Sequence, residues 1–319
     1  MTPPASRLER ALSELADGAP LTRRALQEFS DLDPTSLQNV MKAWPGIPAR
    51  EKYRLLDGLH ELAGEDTLVA FDEFARPLLS DPDGQVRLRA LRLLDENEDP
   101  RLALAILKML SEDQDPDARR EAASALGRFV ELGELERIPA DVHRGLENAL
   151  LEKANGEDHV AIRRSALESL GFSSRTEVAT LIESAIHRQN PDWQTSALIA
   201  MGASSDERWE EHVLARLTDA HDTVRLGAVQ AAGQLRLVAA RQLLFELLED
   251  EEETEITSAA IWSLSQIGGE DVRIYLQNLL DLAEDEQDIQ FLEEALENLE
   301  FNDELNRFDL LSVEPDADD

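Results

Sequence analysis

The sequence has no cysteine, only 5% aromatic residues and few positive charges, with 31 Lys and Arg against 67 Asp and Glu. Without cysteine there is no disulfide framework, no thiolate nucleophile and no cysteine-ligated zinc or iron–sulfur centre. Apolar runs are short. The longest, Leu102 to Leu107, falls far below the ~20 residues that span a bilayer, so no membrane insertion is expected. The opening residues MTPPASRLER lack the apolar core of a secretory signal, which predicts a cytoplasmic protein. A net charge of −36 repels phosphate backbones and argues against a nucleic-acid partner. There is also no GxxxxGK[ST], GxSxG or GxGxxG motif to hold a phosphate or a nucleophile.

What is present is repetition. Arg87, Arg119, Arg163, Gln194, Arg225 and Thr257 are separated by 32, 44, 31, 31 and 32 residues. Three positions after each stands an alanine: Ala90, Ala122, Ala166, Ala197, Ala228 and Ala260. The position before each is apolar (Val86, Ala118, Ile162, Trp193, Val224, Ile256), and so is the seventh after it (Leu94, Leu126, Leu170, Met201, Ala232, Leu264). Offsets of −1, +3 and +7 share one helical face, so each unit holds an amphipathic helix centred on a small residue. Such a residue admits a neighbouring helix closely.

Between these helices lie further stretches with three- and four-residue apolar spacing, such as RLALAILKMLSED from Arg101 and VAARQLLFELLED from Val238. The unit is therefore a helical hairpin. Gly127, Gly171, Gly202 and Gly233 recur at offset +8, where glycine either ends a helix or permits a close crossing. No stretch sustains the alternation of a strand. The fold class expected is all-α: a right-handed α-solenoid of about eight or nine stacked antiparallel hairpins.

A D-x5-R spacing joins Asp81 to Arg87, Asp113 to Arg119 and Asp219 to Arg225, with Glu157 and Arg163 as a conservative fourth pair. Followed by x-x-Ala-x-x-x-Leu-Gly, this resembles the HEAT repeat, in particular the short bacterial form called phycobilisome-lyase-like. The resemblance covers residues 80–268 well and 269–300 weakly, where Leu292, Ala295 and Leu299 restore the pattern. It implies that Asp81, Arg87, Asp113, Arg119, Arg163, Asp219 and Arg225 form a stacked polar ladder, and that the second helix of each hairpin lines the concave side. The ladder should break at Arg188/Gln194 and Glu251/Thr257, where the acid or the arginine is missing. The resemblance also brings an alternative function, the handling of a tetrapyrrole by a bilin lyase-like enzyme or chaperone. Two tyrosines and four tryptophans are few for such a pocket.

Three regions are expected. Residues 1–80 should form degenerate helical repeats with helices near 6–15, 21–29, 34–43, 48–62 and 66–79. HEAT-like repeats follow over 81–300, and an acidic tail over 301–319 that could be deleted with little loss of stability. About 12 extra residues around ELGELERIPAD from Glu131 should lengthen one hairpin or its connection. Charge is concentrated at the C-terminal end, where 25 acidic and two basic residues stand between Glu246 and Asp319. That field suits a solvated end, a contact for a basic partner, or life in high salt.

A helical wheel leaves offsets +1, +2, +5 and +9 facing solvent. These are Arg89, Arg92, Arg120, Arg128 and Arg164 in the first half, then Phe172, Ser196, Ile199, Gly227, Gln230, Ser258, Trp262 and Gln266. Trp193, at a core offset, should pack inside. The binding residues expected on this face are Arg89, Arg92, Arg120, Arg164, Ile199, Gln230 and Trp262, and reversing the charges of Arg89, Arg92 and Arg164 should weaken binding.

Catalytic and metal constellations are not expected. The six histidines show no HExxH or His-x3-His spacing, and the single His60-Glu61 pair cannot build the diiron site of deoxyhypusine hydroxylase, a HEAT enzyme of similar architecture. Asp113, Asp115 and Asp117 alternate as in a calcium loop, but lack its glycine and bidentate glutamate and read instead as turn and helix-cap residues. A basic concave channel of the kind DNA-handling HEAT-like glycosylases need is opposed by the net charge. The chain is thus expected to be a monomeric, non-catalytic, cofactor-free scaffold or adaptor that binds another protein along its concave face.

Overall fold

A computed structural model describes residues 6–312. Every regular element among the described residues is helical. The α-helices are α1 (Arg7–Ala16), α2 (Arg23–Gln27), α3 (Pro34–Ala43), α4 (Ala49–Glu65), α5 (Asp72–Leu78), α6 (Gly84–Arg92), α7 (Pro100–Glu112), α8 (Pro116–Glu134), α9 (Ala140–Asn155) and α10 (Val160–Leu170). They continue as α11 (Thr176–Ile186), α12 (Pro191–Ala203), α13 (Glu210–Leu214), α14 (Asp222–Gln234), α15 (Arg241–Asp250), α16 (Thr254–Ile267), α17 (Glu270–Leu282) and α18 (Glu286–Ser312). They make about nine antiparallel hairpins in two compact units, Met1–Ser169 and Leu170–Asp319.

Local chemistry starts the helices where the spacing places them. Ser6 and Glu9 form a reciprocal capping box on α1, with Ser6 Oγ accepting from the Glu9 amide at 3.1 Å and Glu9 Oε2 from the Ser6 amide at 2.7 Å. Asp115 caps α8 through the amides of Asp117 and Ala118, so the aspartate alternation at 113–117 is turn and cap chemistry. Proline occupies the first turn of α3, α7, α8 and α12, where its missing N–H is no loss.

In the first unit α4, α6 and α8 pack in succession, with α5 and α7 as the return helices of their hairpins. The −1 and +3 residues of α6, Leu94 just beyond its end, and the −1, +3 and +7 residues of α8 are all buried. The region before residue 80 is built on an aromatic nucleus, with Phe74 5.3 Å from Phe29 and edge-on to Trp44 at 5.5 Å. Its apolar cluster runs on to Val86 and Ala90. Of the five helices expected here, the fifth begins six residues late, at Asp72, because Thr67 and Leu68 form an exposed turn. The extra residues lengthen both arms of one hairpin: α8 has 19 residues and α9 has 16, against 9 and 13 in α6 and α7.

In the second unit α12, α14, α16 and α18 pack in succession. The glycines at +8 and small residues at +6 define the seams. The Cβ that Gly171 lacks would sit 2.6 and 2.7 Å from Ala200 O and Cα, and that of Gly233 2.8 Å from Ser263 Cα. Gly202 faces Ala231 likewise, and in the first unit Gly127 faces Ser169. Gly127, Gly202 and Gly233 are inside their helices, so close crossing is what this position provides. Hydroxyls finish two seams: Ser169 Oγ donates to Ala123 O at 2.8 Å, and Ser263 Oγ to Val229 O at 2.8 Å. At the last seam Ser265 holds the +8 place and Asn298 the +6 place, and Asn298 Nδ2 donates to Ser265 Oγ at 2.8 Å.

The tail expected from residue 301 does not begin there. Helix α18 continues through it, Asn302 is buried and accepts from Arg236 Nη2 at 3.1 Å, and Asp303 pairs with Arg273 at 2.7 Å. These partners on α17 and just after α14 hold the helix where composition alone suggested solvent. The side chains of Phe308 and Leu310, and residues 313–319, lie outside the described residues.

Candidate functional site

The polar ladder joins Arg87, Arg119 and Arg225 each to two repeats. Arg87 Nη1 donates to its own repeat's Asp81 O at 2.7 Å, while Nε reaches forward to Asp113 Oδ2 at 2.6 Å and Nη2 to Asp113 Oδ1. Arg119 repeats the pattern, donating to Asp113 O at 2.9 Å and Asp158 Oδ1 at 2.9 Å. The forward acid is therefore Asp158, not Glu157: the connection after the lengthened α9 places the second of two adjacent acids in register. Arg225 donates to Asp219 O at 3.0 Å and to both carboxylate oxygens of Glu251 at 2.9 and 3.2 Å. Asp81 accepts from Trp44 Nε1 at 2.7 Å and lies 3.7 Å from Lys52 Nζ. Arg163 donates to Ala154 O at 3.3 Å.

At Gln194 the motif changes. Its amide points back to Ile186 O at 3.5 Å, and Arg188 stacks over the Trp193 ring at 3.9 Å. Asp219 is met instead by His221 Nδ1 at 3.2 Å and Arg216 at 3.9 Å. Thr257 turns its hydroxyl to Glu253 O at 3.1 Å and sends nothing forward.

These contacts set the ionisation of the ladder. Burial alone would raise the Asp113 carboxyl, but its bonds from Arg87 and from the Asp115 amide hold it below its ordinary value. Burial would likewise raise Asp219, but its hydrogen bonds from His221 and the nearby charge of Arg216 bring it below its ordinary value. Hydrogen bonds from Arg119 lower Asp158, and those from Arg225 lower Glu251.

The solvent-facing offsets divide by unit. In the first, the arginines are compensated by acids about one repeat away. Arg89 Nε pairs with Asp57 at 2.9 Å and its guanidinium lies over the Tyr53 ring at 4.7 Å. Arg92 makes two bonds of 3.1 Å to Glu121, and Arg128 pairs with Glu98 at 2.8 Å, which Arg137 also reaches. Arg120 and Arg164 are half-buried. The expected basic face is thus largely neutralised from within, and an acid spaced one repeat from each arginine is the sequence signal that reveals it.

In the second unit Gln230 is exposed, Trp262 is 39% exposed, and Ile199, Phe172, Ser258 and Gln266 are half-buried. Ser196 and Gly227 are buried rather than exposed, and at Gly227 the preceding helix α12 comes over offset +2, with Thr195 and Leu198 within 3.6 Å of the Cβ position. Trp193 is buried. The wheel missed Phe301, which holds offset +9 on α18 and is 60% exposed. Gln234 and Gln266 hold the same offset, and their side-chain oxygens lie over Gly202 and Gly233. A strip of amides and large apolar groups therefore follows the successive helices α12, α14, α16 and α18.

A separate open cleft of about 1300 Å³ lies between α11 and α13, lined by serines 173, 174, 184, 204 and 205 and by one tryptophan, Trp209. No helix among the described residues is long and apolar enough to cross a membrane.

Residues 73–140 and 210–300 match the family model described as HEAT repeats. No curated protein matches the sequence. Among solved structures, the YibA protein of E. coli is 17% identical over 75% of this chain and 96% of its own, with a TM-score of 0.33. Human deoxyhypusine hydroxylase, solved with glycerol, is 19% identical over 82% of this chain and 95% of its own, with a TM-score of 0.35. Importin beta is 14% identical and covers 96% of this chain, which spans 48% of its length, with a TM-score of 0.46. The hairpins of residues 73–140 and 210–300, with their alanine-centred seams, are similar to HEAT repeats.

Proposed function

We propose that the chain is a non-catalytic protein-interaction module, and that the strip on α12, α14, α16 and α18 binds an extended or helical segment of another protein. One observation carries this reading: Trp262 and Phe301 stand exposed beside Gln230, Gln234 and Gln266 on consecutive helices. Large apolar side chains anchor interfaces, and a primary amide both donates and accepts, so a row of them matches the polar groups of a peptide backbone. Stacked repeats offer a long face on which such contacts add. The acidic residues that crowd the C-terminal quarter favour a partner segment with basic flanks, drawn in by charge. Arg89 and Arg92 are engaged inside the first unit, so the binding face centres on Ile199, Gln230 and Trp262.

The tetrapyrrole alternative has less support, because the broad cleft between α11 and α13 is open and serine-lined, and beside the imidazoles of His187 and His212 it offers Trp209 as its one large aromatic side chain.

The test is affinity capture with mass spectrometry at low and high salt, comparing the natural chain with a Trp262→Ala/Gln230→Ala variant. A protein retained by the natural chain and bound at least ~30-fold more weakly by the variant, which is about 2 kcal/mol for a tryptophan anchor, supports the proposed face. Equal affinity for the two chains at unchanged melting temperature contradicts it, as does a co-purifying pigment with no protein partner.

A further inference from the structure

The lengthened α8–α9 hairpin closes on a cluster of side chains that neither the ladder nor the binding strip uses. Glu134 is the last residue of α8; His143 and Glu147, four residues apart on α9, face the same way. His143 Nε2 lies 3.8 Å from Glu134 Oε1 and 3.8 Å from Glu147 Oε1. One ligand atom from each residue can be chosen so that all three lie within 4.8 Å of one another. The cluster is enclosed on one side and open at the other, with the Glu147 side chain 7%, the His143 side chain 15% and the Glu134 side chain 28% exposed.

Two further observations separate this cluster from an ordinary surface group of acids. His143 Nε2 is buried and has no hydrogen-bond partner. The place is also shaped for the ring: a Cβ on Gly133 would overlap the imidazole, so the bare backbone of α8 is the floor on which it rests. A nitrogen lone pair, or its proton, therefore points into a buried space between two carboxylates at a distance too long for hydrogen bonding.

We propose that Glu134, His143 and Glu147 bind a first-row divalent transition-metal ion of the zinc type. Two carboxylates and one neutral imidazole would be three ligands, with water as the fourth. Two tetrahedral zinc ligands at ~2.0–2.1 Å stand roughly 3.4 Å apart, so the side chains, 3.8 Å apart at the imidazole and within 4.8 Å over all three, would close on the ion. Two carboxylate charges balance the ion. The imidazole selects against calcium and magnesium, which prefer all-oxygen sites. Bound there, the ion would fasten the C-terminal end of α8 to the middle of α9, across the hairpin that the extra residues lengthen.

The test uses the full chain, stripped by a chelator and titrated with zinc and with cobalt(II) in 0.3 M salt and excess magnesium, which saturates the acidic surface. The natural chain is expected to bind one equivalent, to show a cobalt d–d absorption band and to melt at higher temperature with zinc. His143→Gln and, separately, Glu134→Gln should weaken binding at least ~10-fold and abolish the thermal shift. His187→Asn, which removes a 63% exposed imidazole 3.5 Å from Glu183, should leave all three readouts unchanged. If His143→Gln fails to fold, Glu134→Gln at the partly exposed end decides. Binding unaffected by Glu134→Gln, binding lost in excess magnesium, or no stoichiometric binding would overturn the site.

Discussion

Replacing Arg87 by alanine is expected to destabilise the first unit by about 3 kcal/mol, because it leaves a buried charge without its partner. Asp113 has a side chain only 4% exposed, and Arg87 supplies two bonds to it and a third to the Asp81 carbonyl. Its remaining bond, from the Asp115 amide at 2.9 Å, cannot offset the lost guanidinium. For a unit of this size the loss lowers the melting temperature by roughly 6–12 °C. Arg101→Ala, which removes an exposed pair with Asp99, should leave the melt unchanged. A double Arg87→Met/Asp113→Leu variant should recover most of the loss, since two apolar groups ask for no compensation. Thermal and urea melts of the four chains check this, and equal losses in Arg87→Ala and Arg101→Ala would contradict it.

Acid should act on the natural chain in the same way. Asp113, Asp158, Asp219 and Glu251 are all held below their ordinary values. Depressed carboxyls contribute stability that is complete above their unfolded pKa, about 4, and that fades as pH falls through and below it. From pH 7 to about 5 the melt should hold or rise slightly as the net −36 charge is partly relieved, and below about pH 4 it should fall. In Arg87→Ala the acid fall should be shallower.

Gly171→Ala is expected to destabilise the second unit by about 1–3 kcal/mol, the usual range for overpacking. The methyl would meet the backbone of Ala200 at 2.6 to 2.7 Å, and backbone cannot turn aside as a side chain does. The gain from a less flexible unfolded chain, about 0.4–1 kcal/mol, opposes this but is smaller. Gly145→Ala gives the opposite sign. Gly145 lies within α9 with open space around its Cβ position, so alanine should stabilise by about 0.5–1 kcal/mol. Melts of the two variants should move in opposite directions, and a stabilising Gly171→Ala would refute the close seam.

The repeating core was legible because helical packing needs the same face every time. Alanine at +3 recurs at each anchor, and each one is buried. The partner of the +8 glycine was not legible, because the +6 residue that meets it varies among Ala, Ser and Asn and becomes recognisable only when two helices are brought together. Arginines at 89 and 92 looked like a basic face because their acids, Asp57 and Glu121, stand a full repeat away. Glu157 and Asp158 are adjacent, and only the path of the chain after α9 selects the second. The His143–Glu147 pair was present at a four-residue spacing, but Glu134 joins it only through the turn at 135–139, where Glu136 adopts φ +57°. Solvent exposure at offset +2 failed for a related reason: a lone helix does not show how near its neighbour comes.

The absence of cysteine allows the stacking register to be read by a single engineered bond. A Cβ on Gly127 would lie 3.3 Å from Ser169 Cβ, close to the 3.5–4.5 Å usual in disulfides. Mild oxidation of a Gly127→Cys/Ser169→Cys variant, followed by non-reducing electrophoresis and mass spectrometry of the digest, should show a near-complete intramolecular cross-link. A Gly127→Cys/Ala161→Cys variant, displaced by roughly 12 Å along α10, should show almost none. Equal cross-linking of the two, or none in the first, would contradict a stack in which the +8 position of one repeat meets the +6 position of the next.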